Sequence, residues 1–223
     1  LPLPMSSVKY KAVLFDLDGT LIDSAPDMVA SLNQILKEES LAPLTLDTLR
    51  PYVSKGGLAM TKVAFDKYKN EEDIEPLRLR FLDYYLHNIA DYSKLFDGFE
   101  SLLETLENQS IAWGVVTNKP AWLTDPLMSA LKLDQRSAVT ISGDTTAEKK
   151  PHPLPLLTAA EAININCEHC LYIGDDPRDI EAGNAANMTT VIAKYGYISD
   201  NSNLESWMAD SMIDHPTQIL DLI

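Results

Sequence analysis

The stretch KAVLFDLDGTLID, Lys11 to Asp23, opens as a buried strand and breaks off into charge. Val13, Leu14 and Phe15 form the short apolar run of a strand covered on both faces. It ends abruptly at Asp16, Leu17, Asp18, Gly19 and Thr20. A side-chain period of two predicts that Asp16 and Asp18 share a side, within the latitude of the turn that begins at Gly19. Two carboxylates held that close need a cation, a shared proton or open water. The plainer reading, a strand end followed by an Asp-Gly turn, accounts for the same residues.

Outward from this strand the pattern changes twice. Ser24 is placed to cap a helix with Pro26 and Asp27 in its first turn, and Met28, Val29, Leu32, Ile35 and Leu36 carry helical spacing to about Glu39. Leu44 to Met60, interrupted by Pro51 and Gly56-Gly57, predicts helix, loop and restarted helix, and Thr61 to about Asn88 is again helical. No strand is expected between Asp23 and Tyr92. From Leu95 the pattern alternates, starting with a helix capped by Asp97. Strands are expected at Ile111–Val116, Ala138–Ser142, Leu171–Ile173 and Thr190–Ala193. Helices fall between them at Trp122–Leu131, Pro153–Ile163 and Asp179–Ala186. Short apolar strands alternating with amphipathic helices predict an α/β fold, a Rossmann-like parallel sheet covered on both faces. Residues 1–22 and 95–223 would form that core, and residues 23–94 an inserted α-helical cap.

Composition narrows the partners. A chain of 223 residues can hold a core plus a smaller insertion, and its net charge of −15 argues against nucleic-acid or anionic-membrane surfaces. Apolar runs fall well short of the roughly 20 residues that span a membrane. No secretory signal pattern is present, so the cytoplasm is the expected location. Leu1 to Ser7, LPLPMSS, reads as an untidy leader. Cys167 and Cys170 form a lone C-x-x-C that runs into an apolar strand without a second ligand pair, so buried or incidental cysteines are expected rather than redox or zinc chemistry.

In such a sheet, ligands bind beyond the carboxyl ends of the strands. Four of those ends carry polar groups: Asp16 and Asp18; Thr117 and Asn118; Lys149-Lys150-Pro151; and Gly174, Asp175, Asp176 with Asp179 a turn beyond. Carboxylates, a hydroxyl and a lysine at one edge suit Mg²⁺ and a phosphate. Taken singly, each has a plainer role. Thr117 and Asn118 can cap a helix, Lys150 can be a solvated loop lysine, and Asp175-Asp176 can be a turn with Asp179 facing water.

In that order, DLDGT, VVTN, KKP and GDDPRD resemble the four signature motifs of the haloacid dehalogenase superfamily, and a helical insertion after the first resembles the cap of its phosphoglycolate-phosphatase-like branch. The resemblance implies a Mg²⁺-dependent phosphomonoester hydrolase with the haloacid dehalogenase fold, acting on a small phosphorylated metabolite as a monomer or homodimer. It implies Asp16 as nucleophile forming an aspartyl-phosphate and Asp18 as general acid and then base. Thr117, Asn118 and Lys150 would bind phosphate, with Lys150 neutralising charge. Asp16, the Asp18 carbonyl and Asp175 would hold the metal, and Asp179 would orient that shell. Dehalogenases of the superfamily lack an acid where Asp18 stands, so a phosphate ester is favoured. A sugar phosphomutase or a non-catalytic phospho-ligand binder remains as an alternative.

WGVVTNKP (Trp113–Pro120), RSAV (Arg136–Val139), IGDDPRDIEAG (Ile173–Gly183), YGYI (Tyr195–Ile198) and DHP (Asp214–Pro216) resemble the N-acetylmuramic acid 6-phosphate phosphatases of cell-wall (peptidoglycan) recycling, a subgroup whose members have often been labelled phosphoglycolate phosphatases. That substrate is therefore expected, with 2-phosphoglycolate as the alternative. Within the cap, Ser54, Gly56, Gly57, Ala59 and Met60 resemble a substrate loop, and Arg50 and Lys55 are the candidate cations for a carboxylate or sugar.

Overall fold

The structure is a computed structural model and describes residues 9–223; the leader reading of Leu1–Ser7 lies outside the described residues. β1 (Ala12–Phe15) leads through β2 (Ile22–Asp23) into four helices, α1 (Ala25–Glu38), α2 (Leu46–Val53), α3 (Gly57–Phe65) and α4 (Glu71–His87). β3 (Lys94–Leu95) and α5 (Phe99–Asn108) follow. The chain then alternates through β4 (Ala112–Val116), α6 (Ala121–Ala130), β5 (Thr140–Ile141), α7 (Leu154–Ala162), β6 (Cys170–Gly174), α8 (Pro177–Ala185), β7 (Thr189–Ala193) and β8 (Ser211–Ile213).

Six strands form one parallel sheet in the order β5-β4-β1-β6-β7-β8. The chain builds outward from β1 on one side, then returns and builds outward on the other. The strand order therefore reverses at β1, the place where a doubly wound sheet opens a crevice. The period of two is visible in β1 itself. Val13 and Phe15 pack with Phe99, Trp113 and Leu171 on one face, whereas Ala12 and Leu14 pack with Val116, Leu156 and Tyr172 on the other. Burial on both faces leaves charged side chains only the strand ends.

The helices α1–α4 enclose an apolar core of their own, centred on Leu32, Phe65, Phe81 and Tyr85. Where the chain leaves and re-enters the sheet-bearing part, β2 and β3 pair antiparallel, Ile22 opposite Leu95 and Asp23 opposite Lys94. Asp27 ties this crossing together. Its carboxylate accepts from the Tyr92 and Ser93 amides and from the Ser93 hydroxyl, the last at 2.6 Å.

Several local expectations are corrected. The helical run from Thr61 is broken between α3 and α4, where Asn70 and Asp73 form a reciprocal capping box that starts a new helix. Asp97 caps nothing. Gly98, at φ +92°, occupies the N-cap position of α5, and Asp97 is exposed. Ser24 makes no side-chain cap, because its hydroxyl is spent elsewhere. The third strand is only Thr140–Ile141, and β8, too short to leave a periodic signal, was not anticipated.

Candidate active site

All four polar strand ends meet at the carboxyl edge around β1, beneath the helical cap, and enclose a cavity of about 380 Å³. Asp16 continues the ladder, its amide donating to the Ile173 carbonyl, so its side chain is aimed by the strand. Lys150 reaches it from the loop before α7. Its ammonium, almost fully buried, lies 3.0 Å from Asp16 Oδ1, 2.7 Å from Asp179 Oδ1, 2.8 Å from the Val116 carbonyl and 2.7 Å from the Tyr172 hydroxyl. Burial works against this charge, but Asp16 and Asp179 outweigh it and hold the lysine above its ordinary value. Lys150 is thus no solvated loop residue.

Asn118 explains how a loop lysine is held so firmly. Its amide donates to the Lys150 carbonyl at 2.8 Å and its Oδ1 accepts from the Lys150 amide at 3.0 Å. Both ends of the side chain are therefore committed. What Asn118 can offer a phosphate is its main-chain N–H, for which no partner exists among the described residues. Neither Thr117 nor Asn118 caps α6, since Pro120 stands at that position. Thr117 is buried, accepts from the Lys119 amide at 3.0 Å, lines the cavity and keeps its hydroxyl proton available.

Asp18 also lines the cavity, yet its environment differs from that of Asp16. Its Oδ1 accepts from the Lys119 ammonium at 2.9 Å and from the Ser24 hydroxyl. Lys119 in turn donates at 2.9 Å to Tyr85, a tyrosine of the cap helix α4. Burial pulls Lys119 down, but Asp18 and Tyr85 outweigh it and leave it raised. Burial also lifts the Tyr85 phenol to about 12, so it stays protonated. Sequence reasoning passed over Lys119. It adjoins Thr117-Asn118, but nothing local signals that a lysine there is buried against Asp18.

On the neighbouring strand end, Asp175 accepts from Thr20 at 3.1 Å on Oδ1, and on Oδ2 from the cap's Ser54 at 2.7 Å and the Tyr197 amide at 2.9 Å. The Ser54 hydroxyl also lies 3.1 Å from the Asp18 carbonyl, so that carbonyl and Asp175 are neighbours across one oxygen. Gly19 makes the approach possible. It sits at φ +83°, and a Cβ there would fall 2.2 Å from Asp175 Oδ2. Asp179 does not face water; its Oδ2 accepts from the Asp176 amide in the capping box of α8 while its Oδ1 meets Lys150.

One oxygen from each of Asp16, Asp175 and Asp179 lies within 4.8 Å of the others, all buried. Among the described residues, Lys150 is the one cation that forms an ion pair with them, to Asp16 and Asp179. Burial, and then the Asp179 charge, raise Asp16 well above the carboxylate range and Asp175 to about 7. Hard, crowded, anionic oxygens with too little positive charge suit a small divalent cation. Asp16, Asp175 and Asp179 could hold one, and the Asp18 carbonyl lies beside Asp175 across the Ser54 hydroxyl. The Asp18 carboxylate is turned away to Lys119.

In the cap, Lys55, Gly56 and Gly57 line the cavity. Arg50 does not. Its guanidinium donates to the carbonyls of Gly196 and Tyr195, both at 3.0 Å, and lies over the Tyr197 ring, so both terminal nitrogens are engaged with the YGYI loop. The expectation that Arg50 reads substrate is corrected: it is a strut between cap and core. Cys167 and Cys170 are free thiols, and burial raises both, Cys170 to about 12, which leaves neither a thiolate nucleophile.

Residues 13–193 match the family of haloacid dehalogenase-like hydrolases. A phosphoglycolate phosphatase from Xanthomonas campestris pv. campestris is 48% identical over 209 residues, 94% of each chain. An N-acetylmuramic acid 6-phosphate phosphatase from Pseudomonas aeruginosa is 40% identical over 98% of this chain and 97% of its own. Among solved structures, a predicted phosphoglycolate phosphatase from Haemophilus somnus 129PT superposes with a TM-score of 0.87 at 28% identity, over 97% of this chain and 99% of that one.

Proposed function

This chain belongs to the haloacid dehalogenase-like hydrolases and is a phosphatase, and from that premise we propose that it hydrolyses a small phosphorylated carboxylic acid, with 2-phosphoglycolate as the leading substrate. The 48% identical relatives named for that activity support this reading over the muramic ester expected from short local matches. One observation favours N-acetylmuramic acid 6-phosphate as a second reading: a cavity of about 380 Å³ exceeds what a two-carbon acid fills. The reading includes residues 1–22 and 95–223 as core, residues 23–94 as cap hinged on the β2–β3 ribbon, and work in the cytoplasm as a monomer or homodimer.

The observation that carries the chemistry is the placing of two differently supported carboxylates in one cavity, Asp16 against Lys150 and Asp18 against Lys119. The substrate's phosphoryl group would sit between Asp16, the Thr117 hydroxyl and the Asn118 amide. A carboxylate oxygen of Asp16 attacks phosphorus and the P–O bond to the alcohol breaks. Asp18 gives its proton to the departing alkoxide. It then takes a proton from a water molecule that attacks the aspartyl-phosphate, which returns Asp16 and releases phosphate. Lys150 keeps positive charge beside the oxygens throughout and so favours the charged form of Asp16 that its burial opposes. Mg²⁺, held by Asp16, Asp175 and the Asp18 carbonyl with Asp179 beside them, would supply further charge neutralisation at the phosphoryl oxygens.

The test is phosphate release with Mg²⁺ from 2-phosphoglycolate, N-acetylmuramic acid 6-phosphate and glucose 6-phosphate, ranked by kcat/KM. The highest value is expected for phosphoglycolate. A clear preference for the muramic ester selects the second reading, and a preference for glucose 6-phosphate defeats both. Asp16→Asn should be inactive towards an aryl phosphate that the parent cleaves, and activity retained in this variant would exclude Asp16 as the nucleophile.

A further inference from the structure

The cavity has two ends. At the inner end every buried cation is already engaged: Lys150 with Asp16 and Asp179, and Lys119 with Asp18 and Tyr85. Arg178, nearby, is spent on Asp176 and on the Ser54 carbonyl. The outer end belongs to the cap, and two further cations line the cavity there, Lys55 and Arg78, while the exposed Lys149 lines it from the loop before α7. Lys55 stands 5.2 Å above the Tyr52 ring and makes no ion pair among the described residues. Arg78 is on α4, one turn before Leu82, which lines the same wall.

The setting of Arg78 is specific. Glu75, one turn back on the same helix, grips its guanidinium in a two-point fork, Nε to Oε2 at 2.7 Å and Nη2 to Oε1 at 2.6 Å. Glu75 does not line the cavity, and its side chain is 57% exposed against 28% for Arg78. An exposed pair of this kind contributes little to stability. It does, however, fix the plane of a side chain that otherwise has many rotamers. No hydrogen bond among the described residues uses Nη1.

We propose that Arg78 is the specificity residue that reads the substrate's carboxylate, with Glu75 holding its guanidinium in position and Lys55 adding charge beside it. This rests on the reading of the substrate as a phosphorylated carboxylic acid. A planar guanidinium matches a carboxylate with two parallel donors, which a lysine ammonium cannot do. The chain carries a net charge of −15, so a second anionic group far from the phosphate is admitted only where local cations reverse the field. The outer end of this cavity is such a place. Leu82, one turn along α4 from Arg78, lines the same cavity and gives this end an apolar wall.

The test compares each acid with a neutral partner that keeps the phosphate ester: 2-phosphoglycolate with 2-hydroxyethyl phosphate, and N-acetylmuramic acid 6-phosphate with N-acetylglucosamine 6-phosphate. The parent is expected to favour the acid in at least one pair, which also identifies the source of the carboxylate. Arg78→Gln should lower that acid-to-neutral ratio of kcat/KM about tenfold or more, with the change carried in KM for the acid. Arg78→Lys should recover part of it. Glu75→Gln, which loosens the fork without removing the cation, should lower the ratio by a smaller factor and serves if the Arg78 variants fold poorly. An undiminished ratio in all three variants, with Tm unchanged and an aryl phosphate still cleaved, overturns the role of Arg78 while leaving the substrate reading intact. A parent with no acid preference in either pair overturns both.

Discussion

Asp18 and Asp175 show how neighbours divide the work of similar carboxylates. Asp18 is supported by Lys119 and Ser24, both outside the acidic cluster and both on Oδ1, so its Oδ2 has no partner among the described residues and is open to the cavity. Asp18→Asn should therefore lower kcat about 10²–10⁴-fold on an alkyl phosphate. Formation of the aspartyl-phosphate from an aryl phosphate, whose leaving group needs no proton, should suffer far less. Equal losses in a burst experiment with both esters would count against Asp18 as the acid. Asp175 sits where burial and Asp179 raise it from 3.8 to about 7. Between those values the folded, metal-free protein keeps a proton that the unfolded chain has released, so stability present at acid pH is lost as pH rises through about 7. With a chelator, Tm should fall from pH 5 to pH 8, and Asp16, raised in the same direction, adds to the slope. Mg²⁺ must displace that proton, so its apparent affinity should rise roughly tenfold per pH unit up to about 7. Titration calorimetry that found the affinity independent of pH would contradict this.

At the scale of elements, two devices hold the cap over the sheet. One is the Asp27 knot at the β2–β3 crossing, where three donors converge on a single carboxylate. The other is the Arg50 strut from α2 to the loop at Tyr195–Gly196, a loop that also delivers the Tyr197 amide to Asp175. Asp27→Ala leaves buried donors unpaired and should cost about 1–3 kcal/mol in a denaturant titration. Arg50→Ala should instead loosen α2 and α3, seen as faster amide exchange there, and raise KM equally for acidic and neutral phosphates. A selective loss on acids would return Arg50 to the substrate site. Lys55→Ala should raise KM for the acid alone.

For the whole molecule, a net charge of −15 means that the folded state repels itself, while six of its 18 lysines and arginines line the cavity. Raising NaCl from 0.02 M to 0.2 M should thus raise Tm through screening and, over the same range, raise KM for a doubly anionic substrate drawn to that local positive field; a Tm that falls with salt would refute the first half. The fold was legible because its signals are local and periodic. Val13, Leu14 and Phe15 ending in Asp16 mark a buried strand whose only polar outlet is its end, and the later alternation of short strands and helices leaves few other architectures. The helix break at Asn70 and the capping of α5 by Gly98 were misread because capping residues compete on details of backbone geometry that residue type does not settle. At the site, Asp16, Lys150, Asp175 and Asp179 could be named from motif order, since each closes or follows a strand. Lys119, Tyr85 and Arg78 could not, because a charged or polar side chain on a helix or loop looks the same in sequence whether it meets water or a buried partner. Sequence thus determined which strands form and which groups stand at their ends, through hydrophobic periodicity and chain continuity. Which cation serves which carboxylate, and that Arg50 braces the cap while Arg78 faces the cavity, was decided only by tertiary structure, because burial and charge pairing depend on distances between segments far apart in the chain.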